Sequence, residues 1–292
     1  MIRRIEIASG IVALSDERAG RRRARRPPRP LVLLHGFTGS HASWAAVRAA
    51  FRPARRVIAI DLPGHGATVV RDAGFDWSLG ATADLVAATL AALRVEAADV
   101  LGYSMGGRVA LALALADPAR VGRLVLESAS PGLASAAARA RRRAADAALA
   151  AALERDGLAA FVRRWERLPL FRSLASQPEP VRAALRRQRL ACDPAGLAAS
   201  LRGTGLGAQP WLGGRLGALP MPVLLLTGEH DPKFTRIAAR ILPHFADATH
   251  EIVAGAGHRP HLERPARFLG VVRDFLAGGA RRREPLLRGD EA

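Results

Sequence analysis

Short apolar runs recur along the chain and alternate with segments that have helical spacing of apolar residues. Uninterrupted apolar runs of four or five residues are typical of strands buried on both faces of a parallel sheet. The predicted strands lie at residues 31–34, 57–60, 98–101, 123–127, 223–227 and 249–253, with an edge strand or hairpin at 2–14. Predicted helices lie at 43–51, 81–93, 107–113, 236–242 and 265–276. This alternation predicts a parallel α/β sheet whose functional loops follow the carboxyl ends of the strands.

The alternation stops between residues 130 and 219. Helical patterns follow one another at 134–154, 158–167, 180–190 and 196–202, with no strand-like apolar run among them. We expect this helical insertion to lie as a lid over the carboxyl ends of the strands. The predicted organisation is a core formed by 1–129 and 220–277, a lid formed by 130–219, and a disordered tail at 278–292. The arginine- and proline-rich segment 18–30 is expected to be a solvated connection.

A glycine-flanked serine follows the predicted strand at 98–101. The sequence Gly-Tyr-Ser-Met-Gly at 102–106 joins that strand to a helix beginning near Gly107. This strand–turn–helix context is the one that a Gly-x-Ser-x-Gly nucleophile elbow requires, because the strained turn raises the serine hydroxyl above the sheet. Ser104 is therefore the candidate reactive serine.

A serine hydroxyl becomes reactive when an imidazole accepts its proton and a carboxylate orients that imidazole. In sheets of this kind the order along the chain is serine, acid, histidine, each in a loop after a strand. Ser104, Asp231 and His258 follow that order, and we predict that they form a catalytic triad. Glu127 also ends a strand and stays open as an alternative acid. His261 lies close to His258 but falls at the start of the last helix, which is not the loop position expected of the base.

An oxyanion that develops during a reaction needs two backbone N–H groups aimed at it. The residue after the nucleophile supplies one of them in this kind of turn, and here that residue is Met105. The loop His-Gly-Phe at 35–37 follows a predicted strand and offers the N–H of Phe37 as the second. The glycines beside both residues let the backbone approach a ligand closely.

The chain is strongly basic, with 44 lysine and arginine residues against 26 aspartate and glutamate residues and a formal net charge of +18. Lys233 is the only lysine, and alanine is abundant, so the arginine excess indicates a compositional bias of the whole chain. No nucleic-acid recognition motif accompanies the charge, and we predict no nucleic-acid partner. The charge is compatible with an anionic small-molecule substrate.

Other classes of protein fit the sequence poorly. The longest apolar run, 109–116, falls short of the roughly 20 residues of a membrane helix, so no membrane insertion is predicted. The first residues contain no apolar segment typical of a secretion signal, and we expect a cytoplasmic protein. Cys192 is the only cysteine, which excludes an internal disulfide. Neither a phosphate-binding loop nor a metal-ligand cluster is present, so no cofactor and no metal are predicted, and the oligomeric state stays undecided.

Taken together, these motifs resemble the α/β-hydrolase superfamily. The residues that carry the resemblance are His35-Gly36, the Asp-Leu-Pro-Gly-His-Gly stretch at 61–66, the elbow, Asp231 and Gly257-His258. The resemblance covers nearly the whole chain. It implies an α/β-hydrolase fold, which is a mostly parallel central sheet flanked by helices, with an inserted helical lid.

A narrower resemblance comes from stretches that include the insertion. They lie at residues 102–108, 130–133, 165, 169–174, 200–205, 209–210, 228–234 and 258–263, and they resemble the 2-succinyl-6-hydroxy-2,4-cyclohexadiene-1-carboxylate synthases of menaquinone biosynthesis. Lid motifs are specific because lids diverge with substrate. The resemblance implies a lyase that eliminates pyruvate from 2-succinyl-5-enolpyruvyl-6-hydroxy-3-cyclohexene-1-carboxylate. It also implies that Ser104 acts as a base, removing the proton next to the succinyl ketone.

The implied substrate carries three carboxylates, and arginine suits them because its planar guanidinium binds a carboxylate through two hydrogen bonds. By resemblance, the substrate-binding residues are Tyr103, Arg108, Arg142, Trp165 and Arg189. Arg142 and Arg189 lie in the arginine clusters 141–143 and 186–189, and the choice within each cluster stays open. A role for Trp165 in the lid core alone also stays open.

Two other functions remain as alternatives. The same triad could serve a serine esterase or a carbon–carbon bond hydrolase. A catalytically silent binding protein on the same scaffold would use the basic surface for a partner, although the complete triad argues against it.

Overall fold

One twisted sheet runs through the computed structural model, which describes residues 2–18 and 28–278. Its strands are β1 (Ile2–Ile7), β2 (Gly10–Glu17), β3 (Leu31–Leu34), β4 (Val57–Ile60), β5 (Val69–Val70), β6 (Ala98–Tyr103), β7 (Val121–Glu127), β8 (Val223–Gly228) and β9 (Ala248–Val253). They lie in the order β1-β2-β4-β3-β6-β7-β8-β9, and β5 pairs with β2. The pairs from β4 across to β9 are parallel, whereas β2 runs antiparallel to β1, β4 and β5. The predicted parallel sheet is therefore present, with an antiparallel hairpin at one edge.

Helices cover both faces of the sheet. Those outside the insertion are α1 (Ala45–Phe51), α2 (Leu79–Ala92), α3 (Met105–Ala116), α7 (Pro232–Ile241), α8 (Pro260–Glu263) and α9 (Pro265–Leu276). Successive residues of a strand point to opposite faces, so β3 contributes to two cores. Val32 and Leu34 join the cluster formed with α2 and α3, while Leu31 and Leu33 join the cluster that contains Phe268 of α9. Burial on both faces explains the wholly apolar sequence of this strand.

The segment between β7 and β8 is helical. It contains α4 (Ala136–Glu166), α5 (Glu179–Leu190) and α6 (Pro194–Gly203), with 3₁₀ helices at Pro169–Ser176 and Gly213–Ala218. The backbone of α4 leaves the helical conformation at Gly157, whose φ is 79°, where the sequence predicts a boundary between two helices. Leu153 and Phe161 of α4 pack against Leu197 of α6 in a small core of their own. The division into core and lid at residues 130 and 219 stays a prediction.

Some local structure differs from the sequence-based expectation. The strand Val69–Val70 escaped prediction because two residues carry no periodicity. The helix predicted at 236–242 begins four residues earlier, at Pro232, because Asp231 caps it and proline is favoured in the first turn. Most of the connection predicted at 18–30, and the tail predicted after Gly278, lie outside the described residues. Within residues 2–18 and 28–278, no helix is long and apolar enough to cross a membrane.

Candidate active site

Ser104 occupies the sharp turn between β6 and α3. Its φ of 51° and ψ of −107° are unusual for a residue with a side chain and indicate local strain. A Cβ at Gly102 would collide with the carbonyl of Gly106, and a Cβ at Gly106 would collide with the carbonyl of Leu34. The two glycines of the motif are therefore required by close backbone contacts, and the turn they permit leaves Ser104 partly exposed.

His258 lies between Ser104 and Asp231. Its Nε2 is 3.2 Å from the Ser104 Oγ, and its Nδ1 is 2.6 Å from the Asp231 Oδ2. An ionised carboxylate can only accept, so Nδ1 carries the proton and donates to Asp231, which leaves the Nε2 lone pair to accept from Ser104. His258 and Asp231 are both buried. The structure thus brings the three residues of the predicted triad together, from the ends of three different strands.

Glu127, the alternative acid, belongs to a separate pair. Its carboxylate lies 2.8 Å from Nδ1 of His261 and also accepts from the backbone N–H of His261. Both residues are fully buried, and the His261 ring packs against Trp44 and Tyr103. This second acid–histidine pair connects β7 to α8, and Glu127 makes no hydrogen bond with His258.

The two predicted oxyanion donors lie at the same cavity as Ser104. Phe37 and Met105 both line it. Neither backbone N–H donates to an acceptor among the described residues. Because buried N–H groups are normally paired, two unpaired ones beside a reactive serine suit a ligand oxygen.

A cavity of about 130 Å³ opens in front of Ser104, and cations line it. Arg108 donates to the carbonyl of Thr204 and to Oε1 of Gln209 but pairs with no carboxylate of the described residues. Burial and, second, the neighbouring Arg142 lower the pKa of Arg108 to about 10, so the guanidinium is still charged at pH 7. Arg142 donates its Nε to the buried Asp146 at 2.7 Å, and its terminal nitrogens donate to no described residue. Arg108 is therefore a buried cation on this wall without a carboxylate partner among the described residues.

The family model described as "Alpha/beta hydrolase family" matches residues 31–271. The chain belongs to the alpha/beta hydrolase family. This match confirms the superfamily predicted from the sequence, and solved structures of the same fold agree with the observed sheet.

Among curated relatives, the hydrolase-family chain is 41% identical over 246 residues to "Putative 2-succinyl-6-hydroxy-2,4-cyclohexadiene-1-carboxylate synthase" of Bacillus subtilis (strain 168), covering 84% of this chain and 89% of that protein. It is 38% identical to the 2-succinyl-6-hydroxy-2,4-cyclohexadiene-1-carboxylate synthase of Salmonella agona (strain SL483), and the match covers 85% of this chain and 92% of that protein. A structure of MenH from S. aureus has a TM-score of 0.85 and 33% sequence identity, and the match covers 91% of this chain and 98% of that one. The structure of a thermophilic esterase from Thermogutta terrifontis has a TM-score of 0.80 and 26% sequence identity, and the match covers 95% of this chain and 98% of that one.

The remaining predicted contacts of this hydrolase-family site fall in two places. Tyr103 and Trp165 line the Ser104 cavity, and Trp165 also packs against Phe37, Phe161 and Phe171. Trp165 therefore belongs to both the cavity wall and the core of the insertion. Arg189 is different, because it is absent from the lining of the Ser104 cavity and lines a neighbouring cavity of about 730 Å³. There it is buried and pairs with Glu166 at 2.9 Å.

Sequence reasoning missed several cavity residues. Lys233, the only lysine of the chain, lines the cavity and makes no ion pair among the described residues. It lies two residues after Asp231. A single lysine in a chain whose other basic side chains are arginines was the feature that could have indicated a role for this residue. Phe171 lines both cavities from the 3₁₀ helix that the sequence did not predict. Its side chain forms part of the wall between them.

Proposed function

We propose that this chain is a 2-succinyl-6-hydroxy-2,4-cyclohexadiene-1-carboxylate synthase, a carbon–oxygen lyase of menaquinone biosynthesis that uses a Ser-His-Asp triad. The observation that carries the proposal is the position of Arg108, a cation without a carboxylate partner on the wall of the triad's cavity. An uncharged ester offers nothing to such a group, whereas a substrate with carboxylates does. The names of the relatives support the same reaction. We propose a cytoplasmic location and a small anionic substrate as the ligand.

The reaction begins with proton abstraction. His258 Nε2 accepts the hydroxyl proton of Ser104, and Asp231 stabilises the imidazolium that forms. The Ser104 oxygen takes the proton from the carbon next to the succinyl ketone. A serine held at 3.2 Å from its imidazole partner can exchange this proton without forming a covalent bond to the substrate.

The electron pair left by that proton moves onto the ketone oxygen, where the N–H groups of Phe37 and Met105 stabilise the enolate. When the negative charge returns through the ring, the carbon–oxygen bond to the enolpyruvyl group breaks and a ring double bond forms. The enolpyruvate that leaves takes up the proton held by His258 and becomes pyruvate, which restores the neutral imidazole. Water is not consumed, so the products together have the composition of the substrate.

The cavity in front of Ser104 is small for this substrate. Its volume of about 130 Å³ lies below the roughly 300–1,000 Å³ of typical ligand sites. We infer that the helical insertion moves to admit the substrate and acts as the predicted lid. Phe171, which separates the two cavities, is the side chain whose displacement would join them.

The purified protein is expected to release pyruvate from 2-succinyl-5-enolpyruvyl-6-hydroxy-3-cyclohexene-1-carboxylate, measured by coupled oxidation of NADH with lactate dehydrogenase. The second candidate function is a serine esterase, which the likeness to the Thermogutta terrifontis esterase favours. Incubation with p-nitrophenyl acetate tests that candidate in parallel. Rapid ester turnover without pyruvate release would overturn the lyase proposal.

Replacing Arg142 with methionine is expected to raise KM for the carboxylated substrate by about 10-fold to 150-fold, because a charge-assisted hydrogen bond contributes about 1.5–3 kcal/mol. The matched control is Arg141→Met, because Arg141 is exposed on the same helix and does not line the cavity. Steady-state kinetics of both variants decide which residue of the cluster contacts the substrate. Equal effects of the two substitutions on KM would show that Arg142 does not bind the substrate carboxylate.

A further inference from the structure

Arg259, the residue after the triad histidine, is a buried cation with unused hydrogen-bonding capacity. Its exposure is 5%, and its side chain makes no hydrogen bond or ion pair with any described residue. Its Nε is fully buried without a partner. The guanidinium lies over the face of the Tyr103 ring, 5.2 Å from the centroid. Leaving a buried charge without an ion-pair partner is costly, and buried polar groups without partners are rare in folded proteins.

Other buried donors surround the same region. Arg189 is also 5% exposed, lies 5.6 Å over the ring of Phe171, and has a buried Nε without a partner. Burial and, second, repulsion from Arg259 lower the pKa of Arg189, so the two guanidinium groups are close enough to interact. Trp165 packs on Phe171 and has a buried, unpaired Nε1. The unpaired groups of all three residues are donors.

The nearby acidic side chains already have partners. Both carboxylate oxygens of Glu263 accept backbone N–H groups, those of Gly257 and Arg259. Glu166 is shared between Arg186 and Arg189. Neither acid accepts from the side chain of Arg259. Unused donors on two buried cations therefore need an acceptor from outside the chain.

Tyr103 connects this region to the reaction site. It lines the Ser104 cavity, and its ring lies 5.4 Å from that of His258. Burial raises the pKa of Tyr103, although the nearby Arg259 and Arg189 oppose that shift, so its hydroxyl is neutral and can donate. Phe171 lies beside these groups, because Arg189 lies over its ring and the ring is 6.0 Å from that of His258.

We propose that Arg259, together with Arg189 and Tyr103, forms a buried carboxylate-binding site next to the Ser104 cavity, separate from the cation Arg108. The inference deepens the proposed function, since it assigns one substrate carboxylate to this place, and it rests on that function only for the identity of the ligand. A carboxylate suits the site because its two oxygens accept from two guanidinium groups at once. Arg259 supplies affinity for the anion and takes no proton in the reaction.

The test replaces Arg259 with methionine, which has similar bulk and no charge, and compares it with Arg240→Met, an exposed arginine with no ion pair among the described residues. Succinate is the probe, because it carries the carboxylates of the succinyl group, and dimethyl succinate at equal ionic strength is the uncharged control. Succinate is expected to raise the melting temperature of the parent protein and of Arg240→Met, and dimethyl succinate is not. The shift is expected to disappear in Arg259→Met. In kinetics, KM for the carboxylated substrate should rise about tenfold with little change in kcat.

Stability without ligand separates binding from a structural role. Removing a cation that has no partner should leave the melting temperature of the ligand-free protein unchanged or raise it. A lower melting temperature combined with an unchanged succinate response would overturn the proposal, and so would a parent protein that gives equal shifts with succinate and dimethyl succinate. If Arg259→Met does not fold, Arg259→Gln takes its place with the same expected loss of the succinate shift. Because succinate binding is measured without turnover, an absent lyase activity would contradict the proposed function and leave this test intact.

Discussion

Ser104→Ala is expected to lower the rate of pyruvate release by about 10²–10⁴-fold, the usual contribution of a positioned general base. The triad geometry is the reason, because without the hydroxyl nothing at that position passes the substrate proton to the Nε2 of His258. Alanine is subject to the same backbone restriction as serine at a φ of 51°, so the strained turn is kept and the melting temperature should not change. Single-turnover measurements of pyruvate at saturating enzyme give the rate of the chemical step.

The variant His258→Ala and the double variant Ser104→Ala/His258→Ala test whether the two residues act together. Because the two residues act as a unit, the double variant is expected to lose no more activity than either single variant. Intact-mass analysis of the parent enzyme quenched during turnover should find no covalent adduct on Ser104. An acyl adduct that accumulates with the carboxylated substrate would contradict the role as base and assign Ser104 as a nucleophile.

The positions of Ser104, Asp231 and His258 were predictable because parallel strands share one carboxyl edge. Once each residue is assigned to the loop after a strand, the sheet order β6-β7-β8-β9 brings those loops near one another. The elbow was predictable for a related reason, since the glycines at 102 and 106 are required by backbone contacts that any sequence in this turn must respect. Both arguments depend on backbone geometry, which short motifs encode.

Side-chain pairing inside the insertion was not predictable in the same way. Arg189 and Arg142 each lie in a run of arginines. Which member of each run faces the protein interior depends on how α4 and α5 pack, and the spacing of apolar residues does not predict that packing. Glu166 pairs with Arg189 through a tertiary contact that the sequence does not show. Asp146 pairs with Arg142 at the helical i,i+4 spacing, which the sequence does contain. The pairing of Glu127 with His261 joins residues 134 positions apart, and the sequence left Glu127 open as the triad acid for that reason.

Arg108→Met is expected to lower kcat/KM for the carboxylated substrate by about 30-fold to 5,000-fold, because truncating one partner of a buried charge pair costs about 2–5 kcal/mol. The guanidinium has no carboxylate partner among the described residues, so the bound substrate is the group that loses its counterion. Hydrolysis of an uncharged ester, where the enzyme has any, should stay close to that of the parent, because such a substrate has no charge to pair. Parallel kinetics on the two substrates measure this difference.

The substitution also removes hydrogen bonds from Arg108 to Thr204 and Gln209, and a loss of stability alone could imitate a loss of binding. Gln209→Met is the matched control, because Gln209 is buried, accepts from Arg108 and does not line the cavity. It should lower the melting temperature, since an uncompensated buried hydrogen bond costs about 1–3 kcal/mol, while keeping the cation in place. If Gln209→Met reduces kcat/KM as strongly as Arg108→Met does, the effect belongs to the hydrogen-bond network, and the charge of Arg108 is not what selects a carboxylated substrate.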